Sequence, residues 1–301
     1  MSILCVGSMA FDSVETPFGR VDKALGGSAN FFSIAASYFS KINLVGVVGE
    51  DYPIDALEFL TSRGVDLGGL QIIKGSDTFI WKGKYGYDLN EAQTLTTCLN
   101  VFEHFKPELP ENFKSSQFVF LANIDPDLQK HVLGQVDSPK LVACDTMNFW
   151  INRKLDGLKE TLKLVDILLL NESEARQLSG EYNLVRAARA IRQMGPDVVV
   201  IKRGEYGSLL FDEGQIFSIP AMLLEEVFDP TGAGDSFAGG FIGYLAESKN
   251  IDHDSLRMAV VYGTVMASFS VEDFSFNRMK NLSREEIESR VEAFLSLTDI
   301  K

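Results

Sequence analysis

Residues 229–241 read Asp-Pro-Thr-Gly-Ala-Gly-Asp-Ser-Phe-Ala-Gly-Gly-Phe. Pro230 acts as a brake, and Gly232 and Gly234 let the backbone take unusual dihedrals and come close to a ligand. The residues that follow, Ser236 to Ala246, read as a small-residue helix able to pack tightly. The first N–H groups of such a helix have no intrahelical acceptor and lie at the positive end of its dipole, which makes an anion site. A carboxylate, Asp235, stands beside that site, where it would repel an anion. Its presence is explained if Asp235 takes the proton of a hydroxyl that attacks the anion. An ordinary carboxyl pKa of about 3.9 would keep it ionised at neutral pH. The stretch is not a dinucleotide fingerprint, since Phe237 stands where a third glycine belongs, and the chain has no Gly-Lys-Ser/Thr phosphate loop.

Other segments offer partners for this chemistry. Asp12 closes the run Gly7-Ser8-Met9-Ala10-Phe11-Asp12 directly after a first strand, where α/β sheets gather ligands. It reads either as a turn former or as an acceptor for two hydroxyl hydrogen bonds. Gly26 and Gly27 open a helix and permit close approach, and Asn30 can both donate and accept. Asn171 and Glu174 read as a helix cap with its carboxylate three residues on, or as an organiser of Mg²⁺ through water; the two roles are compatible. Lys202 and Arg203 can offset triphosphate charge while Gly204 and Gly207 let backbone approach it, or the stretch is a plain hairpin turn. Asp145-Thr146-Met147-Asn148 places an acid and an amide at a strand end, without an assigned role. Cys5, Cys98 and Cys144 are widely spaced, and Cys5 and Cys144 lie in apolar runs; free thiols in a reducing cytoplasm follow. His104, His131 and His253 make no metal-binding pattern.

These residues need a scaffold, and the apolar pattern supplies one. Ile3–Gly7, Asn43–Val48, Phe118–Leu121, Leu141–Asp145, Ile167–Asn171 and Val198–Lys202 are short apolar runs. Helix-length segments lie between several of them, including Phe31–Phe39, Ala56–Arg63, Leu184–Met194 and Asp254–Ser268. This predicts an α/β fold, with a mostly parallel central sheet covered by helices on both faces. Residues 11–24 and 71–99 break the rhythm. In the second, aromatics alternate with Lys and Gly, which predicts strands of a small β-sheet outside the main layer, or an extension of its edge.

With 301 residues the chain can bury a large core. No apolar run approaches the roughly 20 residues that span a bilayer. Met1–Gly7 reads as a strand, not a leader peptide. The formal charge of −14, from 28 basic and 42 acidic residues, argues against nucleic acid and anionic membranes as partners. It also repels a nucleotide triphosphate at long range, over a Debye length of about 8 Å at physiological salt. An ATP site must then rest on local devices: helix N-termini, a few Lys and Arg, and a divalent cation.

The 229–241 segment resembles the signature of the ribokinase-like (PfkB) carbohydrate kinases, and the resemblance runs in order from Gly7 through Phe241 and beyond. It implies one kinase domain over residues 1–301, with 11–24 and 71–99 forming a lid over the acceptor and a possible homodimer contact. It implies ATP as phosphoryl donor with Mg²⁺, and leaves room for a monovalent cation. Asp235 would be the catalytic base, and the Gly232, Ala233 and Gly234 backbone would form an anion hole. Asp12, Gly26, Gly27 and Asn30 would bind the acceptor. Asn171, Glu174, Lys202, Gly204, Gly207 and Thr231 would hold the nucleotide, with Glu174 on the metal side. Tyr262, Gly263 and Ser268 would border the adenine. One departure stands out: two residues, not the family's three, separate the glycine pair from Asn30, so either Asn30 serves with a shifted loop or the family position falls on Phe31 and the contact is lost. The expected activity is phosphorylation of a primary hydroxyl of a sugar or sugar-like acceptor. A nucleoside kinase is the alternative, since Gly-Gly-Ser-Ala is similar to adenosine kinases and Phe79, Trp81, Tyr85 and Tyr87 could stack on a base. A non-catalytic sensor is disfavoured by the intact Asp235 and Gly232–Gly234.

Overall fold

Alternate residues of the central strands enter two different cores. In β1 (Ser2–Val6), Ile3 and Cys5 face one apolar cluster while Leu4 and Val6 face another. In β10 (Ile167–Asn171) the same split separates Ile167 and Leu169 from Leu168 and Leu170. A strand buried on both faces has no polar side, so it reads as a continuous apolar run. The computed structural model, which describes residues 2–298, confirms the α/β architecture.

The remaining strands are β2 (Ala10–Thr16), β3 (Gly19–Gly26), β4 (Lys41–Gly49), β5 (Val65–Ile73), β6 (Phe79–Tyr85), β7 (Ala92–Cys98), β8 (Phe118–Leu121), β9 (Leu141–Asp145), β11 (Val198–Lys202), β12 (Ser208–Asp212) and β13 (Gln215–Ile219). Nine of the strands form one sheet in the order β13-β12-β11-β10-β9-β8-β1-β4-β5. It is parallel from β11 to β5, with β12 and β13 added antiparallel. A separate four-stranded sheet has the order β3-β2-β6-β7. It draws on residues 10–26 and 79–98, while residues 71–73 belong to β5 at the edge of the large sheet.

Helices α1 (Ser28–Ala36), α2 (Ile54–Ser62), α8 (Ala233–Ser248), α9 (His253–Ser270) and α10 (Arg284–Thr298) cover one face. On the other lie α3 (Pro126–Leu133), α4 (Asn148–Arg153), α5 (Leu155–Leu162), α6 (Glu172–Ser179) and α7 (Leu184–Arg192). The small residues of α8 let it wedge between two neighbours. Gly239 lies against Phe32 and Ala35 of α1, and Gly240 against Tyr262 and Met266 of α9, at separations that leave no room for a Cβ. Among the described residues no helix is long and apolar enough to cross a membrane.

Candidate active site

Three neighbouring parallel strands end side by side. Leu169 of β10 pairs with Asp145 of β9, and Asn171 of β10 pairs with Lys202 of β11. Asp145, Asn171 and Lys202 therefore line the carboxyl edge of the large sheet, the ligand-binding edge of α/β folds. Lys202 Nζ donates to Asp145 Oδ2 at 2.8 Å, with the two side chains 16% and 6% exposed. Desolvation alone would lower the Lys202 pKa, but the carboxylates of Asp145, Glu174 and Asp235 outweigh it and raise the pKa. The ammonium is thus firmly charged.

Glu174 forms the expected capping box at the start of α6: Asn171 N donates to Glu174 Oε2 and Glu174 N to Asn171 Oδ1, both at 2.8 Å. Burial, with a smaller push from Asp145, moves the Glu174 carboxyl up to about 7. Among the described residues no three His, Cys, Asp or Glu side chains converge as a direct metal ligand set. A divalent cation here would be held through water and through the ligand's own oxygens, which suits Mg²⁺.

Asp235 sits in the first turn of α8. Gly232, at the N-cap, has φ +76°, a conformation that favours glycine, and the Phe31 ring fills the space where its Cβ would stand. Phe31 in turn meets Phe276 edge-on, with ring centroids 5.7 Å apart. The N–H of Ala233 donates to Pro230 O at 3.2 Å, whereas those of Gly232, Gly234 and Asp235 find no acceptor among the described residues. A Cβ on Gly234 would lie 3.0 Å from Lys202 Nζ, so the Lys202–Asp145 pair borders this open helix end. Burial lifts the Asp235 carboxyl to about 7, helped by Asp145 and opposed by Lys202. The ordinary pKa expected from sequence does not hold, because desolvation exceeds what the one ammonium returns. Asp229, almost fully buried, accepts from Thr231 N at 2.9 Å and Ser275 N at 3.2 Å and fixes the turn.

On the other side lies Asp12, buried and also pushed up to about 7, first by burial and further by Asp229 and Asp235. Its Oδ2 occupies the space where a Gly26 side chain would be, and Ser8 O crowds Gly27, whose φ is +92°. Asn30 is fully buried; its Nδ2 donates to Gly26 O at 2.6 Å and Tyr52 Oη at 2.9 Å, and its Oδ1 has no partner among the described residues. Phe31, at the position where the spacing pattern expects the amide, is instead packing beneath Gly232. The small sheet contacts the 229–241 region and the turn after β11. Thr16 Oγ1 donates to Phe228 O at 2.9 Å, Thr231 Oγ1 bonds Tyr85 Oη at 3.3 Å, and Asn90 of the β6–β7 hairpin abuts Gly204.

The structure thus brings together Asp12, Gly26, Gly27, Asn30, Asn171, Glu174, Lys202, Thr231 and 232–235. Gly204 and Gly207 lie in the turn after β11, but Gly207 is packed against Ile219 and Pro220, which alone accounts for a glycine there. Tyr262, Gly263 and Ser268 pack inside the helical layer, Tyr262 Oη donating to Glu288 at 2.8 Å and Gly263 lying against Phe237. Sequence reasoning passed over Tyr52, and left Asp145 without a role although it anchors Lys202. The signal for Asp145 was its place at the end of an apolar strand; Tyr52 carried none.

The pfkB family carbohydrate kinase pattern matches residues 2–279. The cytidine kinase of Thermococcus kodakarensis is 30% identical over 259 residues, 84% of this chain and 91% of that protein. The solved nucleoside kinase of Burkholderia thailandensis, in complex with inosine, superposes with TM-score 0.77 at 18% identity, over 98% of this chain and 99% of that one. A candidate ribokinase II of E. coli, solved with ATP and Mg²⁺, gives TM-score 0.78 at 19% identity over 97% and 99% of the two chains. The last two show the shared fold. The chain belongs to the pfkB family of carbohydrate kinases and is a phosphotransferase with an alcohol group as acceptor.

Proposed function

We propose that the protein transfers the γ-phosphoryl group of ATP to the primary hydroxyl of a nucleoside, with Asp235 as the base. The carrying observation is the meeting of Asp235, the unpaired N–H groups at the start of α8 and the charged Lys202, across from Asp12. Asp235 removes the proton of the ribose hydroxyl as its oxygen bonds to phosphorus and the bond to the ADP oxygen breaks. A carboxyl whose pKa is about 7 is well matched to that proton. The Gly232 and Gly234 amides and Lys202 face the charge on the equatorial oxygens, and Asp145 keeps Lys202 in place. Thr231 and Gly204 line the donor side, and the Asn171–Glu174 box holds its carboxylate toward the phosphates. Mg²⁺, when bound, supplies neutralisation of phosphate charge. Asp12, with the Gly26 and Gly27 backbone, holds the sugar hydroxyls, and Asn30, turned inward to Gly26 O and Tyr52 Oη, positions that glycine pair. The four-stranded sheet acts as a lid that excludes water, and its exposed edge strand β7 provides a contact for a second copy. The nucleoside, in place of a plain sugar, is favoured by the cytidine kinase relative.

The test is ADP release with Mg-ATP over D-ribose, D-fructose, cytidine, uridine, adenosine and inosine, in KCl and in tetramethylammonium chloride. Turnover of a nucleoside with a 5′-phosphate product is expected, and the salt comparison reads a monovalent-cation requirement. Turnover of ribose or fructose alone would restore the sugar reading. Thermal stabilisation by these ligands without any transfer would make the protein a sensor.

A further inference from the structure

Asp12 of β2 pairs in parallel register with Trp81 of β6. Residues paired directly across two strands share a face, and residues two apart on one strand share it too. Asp12, Trp81, Gly83 and Tyr85 therefore lie on one face of the small sheet. Thr16 and Tyr85 show which face it is, since they bond Phe228 O and Thr231 of the 229–241 segment. Lys82 and Lys84 alternate onto the other side, where Lys84 pairs with Glu15 at 2.5 Å.

The aromatics of this region differ in what occupies them. Tyr85 is buried with its hydroxyl on Thr231, Phe79 stacks on Phe102 at 5.6 Å, and Tyr87 is 90% exposed. Trp81 pairs with no other aromatic ring among the described residues. Its indole lies along the strand over Gly83, in the space a side chain at that position would fill, and its Nε1–H donates to Thr94 Oγ1 at 3.2 Å. The glycine and the hydrogen bond hold the ring in one orientation, on the strand next to that of Asp12, the two backbones being about 4.8 Å apart.

We propose that Trp81 is the platform on which the acceptor's base stacks, and hence a determinant of nucleoside over plain sugar. The proposal rests on the nucleoside reading above. Ribose hydroxyls held at Asp12 put the base within one strand spacing, and a preorganised indole offers every base a π-face. Loss of one such stack corresponds to roughly a tenfold weakening.

Trp81 and Trp150 are the two tryptophans, so Trp150→Phe leaves Trp81 as the sole indole reporter. In that background cytidine is expected to quench the fluorescence saturably, while D-ribose at the same concentration leaves it unchanged. In steady-state assays Trp81→Leu is expected to raise the cytidine KM about tenfold with kcat within about twofold, and Trp81→Phe to recover most of the loss. Cytidine turnover with an unchanged KM in Trp81→Leu, or binding without quenching, overturns the platform and leaves the nucleoside reading standing. Turnover of D-ribose with none of any nucleoside by the wild-type protein overturns both.

Discussion

In the proposed mechanism Asp235 acts only in its ionised form, and burial together with Asp145 holds its pKa at about 7. Activity is therefore expected to be lost as pH falls through about 7, well above the usual carboxylate range. The kcat/KM profile is expected to rise from pH 5 to pH 8 with a midpoint of about 7. Asp12 and Glu174 are pushed to the same region, so the limb reports a coupled group of carboxyls and not Asp235 alone. A midpoint below 5 would show that Asp235 is not the base or is not desolvated. Asp235→Asn removes the proton acceptor while leaving the open amides and Lys202 in place. It is expected to lower kcat by about 10²- to 10⁴-fold, with the ATP KM no higher than in the wild type. Activity close to wild type would sink the mechanism.

The elements set these groups at the right separations, and Gly232 is where two of them meet. Its left-handed backbone starts α8, and its missing side chain receives Phe31 of α1. Gly232→Ala adds both backbone strain and a clash. Gly214, between β12 and β13, has φ +85° but open space around it, so Gly214→Ala adds strain alone. The control should cost on the order of 1–2 kcal/mol with unchanged kcat, and Gly232→Ala should cost more and lower kcat at least tenfold. Equal thermal shifts and equal activity in the two variants would mean that the Phe31 contact does not place the helix end. This contrast also shows what sequence can carry. The strands β8, β9, β10 and β11 were legible to the residue, because burial on both faces leaves continuous apolar runs. The edge strands β5 and β13 were not: β5 carries Gly68-Gly69, and β13 exposes Gln215, Ile216 and Ser218 and buries only Ile219. The capping box was legible because Asn171 and Glu174 are near neighbours. The inward turn of Asn30 to Tyr52, and the pairing of Asp145 with Lys202, depend on contacts across 22 and 57 residues that no local pattern encodes.

At the scale of the whole molecule the site works against stability. Asp12, Glu174 and Asp235 all have folded-state pKa values of about 7, above their unfolded values of about 4. The folded protein keeps these protons where the unfolded chain releases them. The stability they confer is fully present below pH 4 and is lost as pH rises through 7. Glu15, Asp22, Glu160, Asp252 and Glu286 have lowered pKa values through surface hydrogen bonds, and their contribution is lost as pH falls below the carboxylate range. The ligand-free protein should therefore melt highest near pH 5 and lower at pH 8. Its net charge of −14 at pH 7 pushes the same way, since self-repulsion grows as carboxyls ionise. Salt separates the two causes: at 1 M the Debye length is about 3 Å, which screens surface repulsion and leaves buried carboxylates little affected. A fall in Tm between pH 5 and 8 that survives 1 M NaCl, and that shrinks in Asp235→Asn with a higher Tm at pH 8, assigns the slope to the site. A slope abolished by salt and unchanged by the substitution assigns it to surface charge, and would mean that the Asp235 carboxyl is already hydrated in the free protein.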